Sequence, residues 1–183
     1  MSRETIFRAA LRVPPFTNPR VRKGVIRGRR RVDRARRRLY ERMGSEKLSR
    51  PALHDMDRKL ERHLPPGPGF FVEAGGYDGY TQSNTYFLER FRDWRGVLVE
   101  PVPELYRECL LERPRSRVFN CALVAAGDPA ETVNVRYGGL MSLVSGSGGL
   151  PVGEEEHAES GMQFGWDESY MVDVPARTLS SVL

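Results

Sequence analysis

The chain is poor in the features that mark membrane-spanning, disulfide-stapled or metal-clustered proteins. None of its apolar runs reaches the roughly 20 residues needed to cross a bilayer. The first residues also lack the continuous apolar core of a secretory signal. Cysteine occurs only twice, as Cys109 and Cys121, which excludes a disulfide framework and a metal-spaced pair. Cys121 sits in an apolar run and reads as a small core residue. A reducing, cytoplasmic setting is the default expectation. His54, His63 and His157 share no ligand spacing, and the run Glu154-Glu155-Glu156-His157 is a consecutive loop segment that preorganises no metal site. Ser142, Ser145 and Ser147 lie in a glycine-rich stretch with no visible His–Asp partnership, which argues against a serine hydrolase.

Charge is abundant but divided. Residues 1–42 hold fifteen Lys or Arg against three acids, a net +12, whereas residues 43–183 hold fourteen against twenty-one, a net −7. The basic pI therefore describes one end of the chain. Residues 1–46 read as a basic, largely disordered arm, with a short amphipathic helix over 4–13 and a thin apolar stripe at Val32, Ala35, Leu39 and Met43. Arg30, Arg34 and Arg38 repel one another at four-residue spacing, which favours a solvated segment over a docked helix. Nucleic acid or an anionic membrane are the partners such an arm would take.

From residue 47 the pattern is that of a folded domain. Ser49 and Pro51 open a helix whose apolar face is Leu53, Met56, Leu60 and Leu64. The run Pro65-Pro66-Gly67-Pro68-Gly69 stops it. Then strand and helix alternate: strands over 70–73, 96–100 and 118–124, helices over 84–92 and 103–112. The continuous apolar character of 70–73 predicts burial on both faces of a parallel sheet. Strand–helix–strand–helix–strand is half of a doubly wound sheet, with its ligand crevice beside the first strand. Further strands are expected over 132–137 and 170–174. Residues 138–153 read as loop, 154–159 as acidic and exposed, and Thr178 as a helix cap.

The strongest chemical signal lies at the strand tips. Glu73 ends the first strand and leads into Ala74-Gly75-Gly76-Tyr77-Asp78-Gly79; Glu100 ends the second and leads into Pro101-Val102. A glycine turn lets backbone N–H groups approach a polar ligand, and an acid on the neighbouring strand accepts hydrogen bonds from ribose hydroxyls. The glycine spacing is not that of the dinucleotide fingerprint. A sharp strand-to-helix turn explains the glycines as well, and capping of the helix at Pro103 explains Glu100 as well. Two acid-tipped strands together favour a ligand.

Three blocks, F-V-E-A-G-G-Y-D-G-Y-T-Q-S-N-T, W-R-G-V-L-V-E-P-V-P-E-L-Y and E-R-P-R-S-R-V-F-N-C-A-L-V, resemble the FkbM-type methyltransferases. The resemblance runs over about residues 50–183 and is densest over 70–124. It implies an α/β Rossmann-like fold, S-adenosylmethionine as cofactor, and methylation of a hydroxyl on a small molecule or glycan. It also implies that Glu73, Ala74, Gly75, Gly76, Tyr77, Asp78 and Gly79 hold the amino-acid end of the cofactor. Glu100 would bind the ribose, Pro101 and Val102 would border the adenine, and Asn120, Cys121 and Ala122 would lie near the base. The family commonly has Asp, Ala and Asn where this chain has Glu73, Gly76 and Tyr77; Glu73 keeps the charge, while Gly76 and Tyr77 are expected to alter loop shape. Its further strand with D-x-E-G has no counterpart before Leu183, so residues 47–183 correspond to the N-terminal portion of the domain, with no catalytic residue assigned. Trp166 and Tyr170 are candidates to line an acceptor pocket or to pack a lid. The competing expectation is a catalytically inactive fragment serving as a binding module, with the basic arm making the contacts.

Overall fold

A computed structural model of the chain describes residues 13–14, 18–149, 152–162 and 169–183. Two sheets organise the domain. The first is wholly parallel, in the order β1 (Phe70–Ala74), β2 (Arg95–Val99), β3 (Arg117–Phe119). Helices α3 (Tyr86–Phe91) and α4 (Pro103–Glu112) make its crossovers. Ser83 Oγ accepts the Tyr86 amide as α3 begins, and Pro103 opens α4, where a missing N–H costs nothing. Phe87, Leu88 and Cys109 from these helices meet Phe71, Leu98 and Trp94, and Phe91 packs against them.

The second sheet is mixed. Its order is β4 (Ala122–Val124), β7 (Tyr170–Thr178), β5 (Thr132–Tyr137), β6 (Leu143–Val144), with β4 parallel to β7 and the other pairs antiparallel. The single strand expected over 118–124 is thus two, broken at Asn120 and Cys121 and shared between sheets. Residues 154–159, expected as an exposed acidic segment, begin helix α5 (Glu154–Met162), with Glu154 accepting from Ser145 Oγ. Thr178 precedes the short α6 (Leu179–Val182), which sets Val182 on Val97, Val99 and Cys121. Cys121 is the buried residue its apolar run implies.

Burial of β1 departs from expectation. Phe71 is buried, yet Phe70 and Val72 on the opposite face are 60% and 40% exposed. The reason is that α3 and α4 cover one face, while Val182 reaches only as far as β2 on the other. Among the described residues β1 pairs with β2 alone.

The helix expected over 49–64 is also different. A 3-10 turn (Leu53–Asp55) with left-handed backbone at His54 and Asp55 precedes a short α2 (Met56–Glu61). Leu53, Met56 and Leu60 are exposed, Leu64 alone packs on the core, and Ser49 donates to Glu41 instead of capping.

The largest difference lies in the basic segment. Residues expected to be largely disordered form α1 (Pro19–Arg42), a helix of 24 residues. Its arginines are held by acids distant in sequence. Arg34 donates to Glu108 and Glu112, Arg37 pairs with Glu112 at 2.7 Å, and Glu41 accepts from Arg90 at 2.7 Å and Tyr86 Oη at 2.8 Å. Four-residue repulsion between arginines gives way because Glu108 and Glu112 on α4, with Asp78, neutralise them on one side. The amphipathic helix expected over 4–13 lies almost wholly outside the described residues, as does Trp166.

Candidate functional site

Gly75 turns left-handed (φ 77°) immediately after β1, and Gly79 (φ 80°) closes the loop against α4. A Cβ on Gly79 would come within about 3.0–3.1 Å of Glu112, Arg113 and Cys109, so both conformation and space demand glycine there. Between them Tyr77 is left-handed too (φ 49°). The loop keeps a conformation natural to Asn although the residue is Tyr. Gly76 has room for a methyl only if Leu98 and Cys109 yield slightly.

The amides of this turn are spent internally. Gly75 and Gly76 both donate to the Val99 carbonyl, Gly79 to Gly76, and Tyr80 and Thr81 to Asp78 Oδ1. The Tyr77 amide donates to Glu100 Oε2 at 2.7 Å. The expectation of N–H groups aimed at a ligand is therefore not met at these six positions. What surrounds the turn is acid: burial first, then Glu100, Asp78 and Glu73, push the Cys109 thiol well up, and its Sγ donates to the Tyr77 carbonyl.

The two strand-tip acids have different surroundings. Glu73 is tied into a network around Arg113, which is completely buried. Arg113 donates to Glu73 at 3.1 Å, to Glu89 at 2.9 Å, to Thr85 at 2.8 Å and to Ser83 at 3.1 Å. Glu73 also accepts from Ser83 Oγ, Thr85 Oγ1 and the Asn84 amide. Arg113 and Glu89 were not singled out in the sequence, where Arg113 is one arginine in a basic turn after a helix. Glu100 is buried with amide donors only: Tyr77 N–H, and Val102 N–H on Oε1 at 2.9 Å, at the start of α4. Burial outweighs these two bonds and lifts its carboxyl to about 7. The capping reading of Glu100 is met only in part, since it accepts from Val102 just ahead of the helix, and each oxygen retains a lone pair for a further donor.

Five of the predicted residues meet in one crevice. Ala74, Gly75, Pro101, Cys121 and Ala122 line it, with Val99, Leu123 and Val135 and with the β6 hairpin at Ser142–Val144 above, around about 150 Å3. This is less than the roughly 300–1,000 Å3 of an ordinary ligand site, enough for a flat ring. It lies at the carboxyl ends of β1 and β2, where open α/β sheets bind ligands. Asn120 shapes the rim, its Nδ2 donating to the Glu100 and Pro101 carbonyls at 2.9 and 2.7 Å. Val102 is buried elsewhere, against Leu105 and Tyr137. Gly76, Tyr77, Asp78 and Gly79 build the turn without lining this crevice. A larger cavity of about 440 Å3 opens between α1 and α4, bordered by Tyr77, Tyr137, Arg27, Arg30, Arg31 and Arg107.

The profile of the methyltransferase FkbM domain matches residues 73–183, more than half of the chain, from the strand-tip Glu73 onward. The chain belongs to the FkbM methyltransferase family. The match spans both strand tips and the crevice between them. Among curated proteins none matches. A TehB-like SAM-dependent methyltransferase from Corynebacterium glutamicum is similar in structure at 15% identity, over 69% of this chain and 79% of that one, with a TM-score of 0.30. At that score the likeness bears on neither fold nor function. In this FkbM-family domain the residues that sequence reasoning missed, Arg113 and Glu89, stand behind the turn and hold it.

Proposed function

We propose that the chain binds S-adenosylmethionine across the Gly75 turn and transfers its methyl group to a hydroxyl of a small-molecule or glycan acceptor. The observation that carries this reading is electrostatic. The turn's amides are used up by Val99, Glu100 and Asp78, so a pyrophosphate would find few donors and three nearby carboxylates. A sulfonium and an ammonium suit the same surroundings. The donor set fits the rest of the cofactor: Glu100 would accept from the ribose diol, and Pro101, Cys121 and Ala122 would pack on the adenine. Methyl transfer from a sulfonium calls for alignment and exclusion of water more than for covalent help. The cavity beside Tyr77 has the volume of an ordinary small-molecule site.

Isothermal titration with S-adenosylmethionine and with NAD separates the two cofactor classes, and tighter binding of NAD would sink the proposal. Glu100→Ala should weaken the methyl donor by roughly 1–3 kcal/mol if the ribose bond exists. Ribose donors favour the ionised carboxylate, so affinity should also fall as pH drops below about 7. A pH-independent affinity in the native chain would leave Glu100 as a capping residue alone.

A further inference from the structure

Helix α1 is amphipathic the wrong way round. Toward the domain it presents Arg30, Arg34, Arg37 and Glu41, spaced four, three and four residues apart and engaged with Asp78, Glu108, Glu112 and Arg90. Its opposite side carries Val21, Val25, Gly28, Val32, Ala35 and Leu39 at intervals of three and four, one continuous helical seam that Met43 extends just past the helix end. Val32, Leu39 and Met43 are 67%, 57% and 65% exposed. Helical geometry puts Arg29 and Arg36 along one border of this seam and Arg31 and Arg42 along the other. An apolar stripe flanked on both sides by guanidinium groups is what an anionic lipid surface complements: the seam enters the acyl boundary and the long arginine stems reach back to headgroups.

We infer that α1 is a membrane-surface helix that lays the domain on an anionic bilayer. Other occupants fit less well. A second copy of the chain would set arginine against arginine along both borders. Nucleic acid would neutralise the arginines but leave the apolar seam in water. The seam holds no Trp, Tyr or Phe to anchor a protein partner. No helix among the described residues is long and apolar enough to cross a membrane, so the contact is peripheral. Residues 43–183, net −7, are repelled by the same surface, which leaves α1 as the contacting face among the described helices.

Flotation of the whole chain with phosphatidylcholine vesicles, with and without phosphatidylglycerol, tests this. Binding should require the anionic lipid and weaken steeply with salt. Val32→Asp with Leu39→Asp should reduce it roughly tenfold or more by charging the seam. Arg31→Gln with Arg36→Gln should reduce it by about tenfold to thirtyfold and lower its salt dependence. All four side chains are exposed or outward, and an unchanged melting temperature checks the fold. Equal binding to neutral vesicles, or unchanged binding by either double variant, overturns the inference. So would duplex DNA retaining the native and Asp-substituted chains equally while vesicles retain neither. Dimers in sedimentation equilibrium that the Asp substitutions dissolve would assign the seam to a second copy instead.

Discussion

Glu73 and Glu100 occupy similar places in neighbouring parallel strands: each is an acid near a strand's carboxyl end, ahead of a turn and a helix, with Glu73 opposite Leu98 and Glu100 two residues further along. Their environments are opposite. Glu73 faces a buried guanidinium and two hydroxyls, so its charge is matched. Glu100 faces two amides, the Cys109 sulfur and the negative Asp78, with no cation among the described residues, and burial raises its carboxyl to about 7. The position of an acid in the strand grammar thus fixes where it sits, while a partner distant in sequence decides whether it is structural or free to answer a ligand. The matched acid is part of the scaffold. The unmatched one is the group whose charge a ligand can change.

The largest effect expected from breaking this contrast comes from the matched side. Arg113→Met keeps most of the stem but leaves Glu73 and Glu89 buried without their cation, at a cost of roughly 3–5 kcal/mol in urea unfolding. Arg113→Lys should recover part of it. A loss below about 1 kcal/mol would mean that the network does not hold the turn.

The unmatched acid should show itself through pH. Its folded carboxyl is raised from 4.5 to about 7. Below 4.5 both folded and unfolded states are protonated and nothing is lost. As pH rises through this window the unfolded chain ionises first, so stability falls, by at most about 3 kcal/mol, and levels off above 7. Glu100→Gln removes a proton site and should flatten that decline, whatever it does to stability overall. Equal slopes for the native chain and Glu100→Gln between pH 5 and 7 would show that Glu100 ionises normally.

Why one acid was legible and its environment was not follows from sequence distance. The short apolar runs within Phe70–Ala74 and Arg95–Val99, and Pro103 at the head of α4, are local signals, and those elements stand where the sequence puts them to within a residue. The crevice residues Ala74, Gly75, Pro101, Cys121 and Ala122 were found because they sit at the ends of such runs. Arg113 lies 40 residues from Glu73, and nothing local marks it as buried. The same holds for α1: its arginines repel one another within the helix, and two of the acids that order it, Glu108 and Glu112, are more than 70 residues from Arg34. At Asn120 the chain passes from one sheet to the other, although the residues on both sides of it are apolar. At His54 and Asp55 left-handed backbone interrupts a good helical period.

The smallest expected effect sharpens the contrast most. Glu73→Gln keeps the shape and most of the hydrogen bonds, and Arg113 retains Glu89, so the cost should be about 1–2 kcal/mol. Its slope of stability against pH near neutrality should match that of the native chain, because Glu100 is untouched. Its affinity for S-adenosylmethionine, read by titration, should stay within about threefold of native, while Glu100→Ala loses more. If Glu73→Gln instead weakens the cofactor as much as Glu100→Ala does with stability intact, the Arg113 network is not closed to the ligand. The matched acid would then share the site with the unmatched one, and the division between scaffold and responding group would fall inside the network.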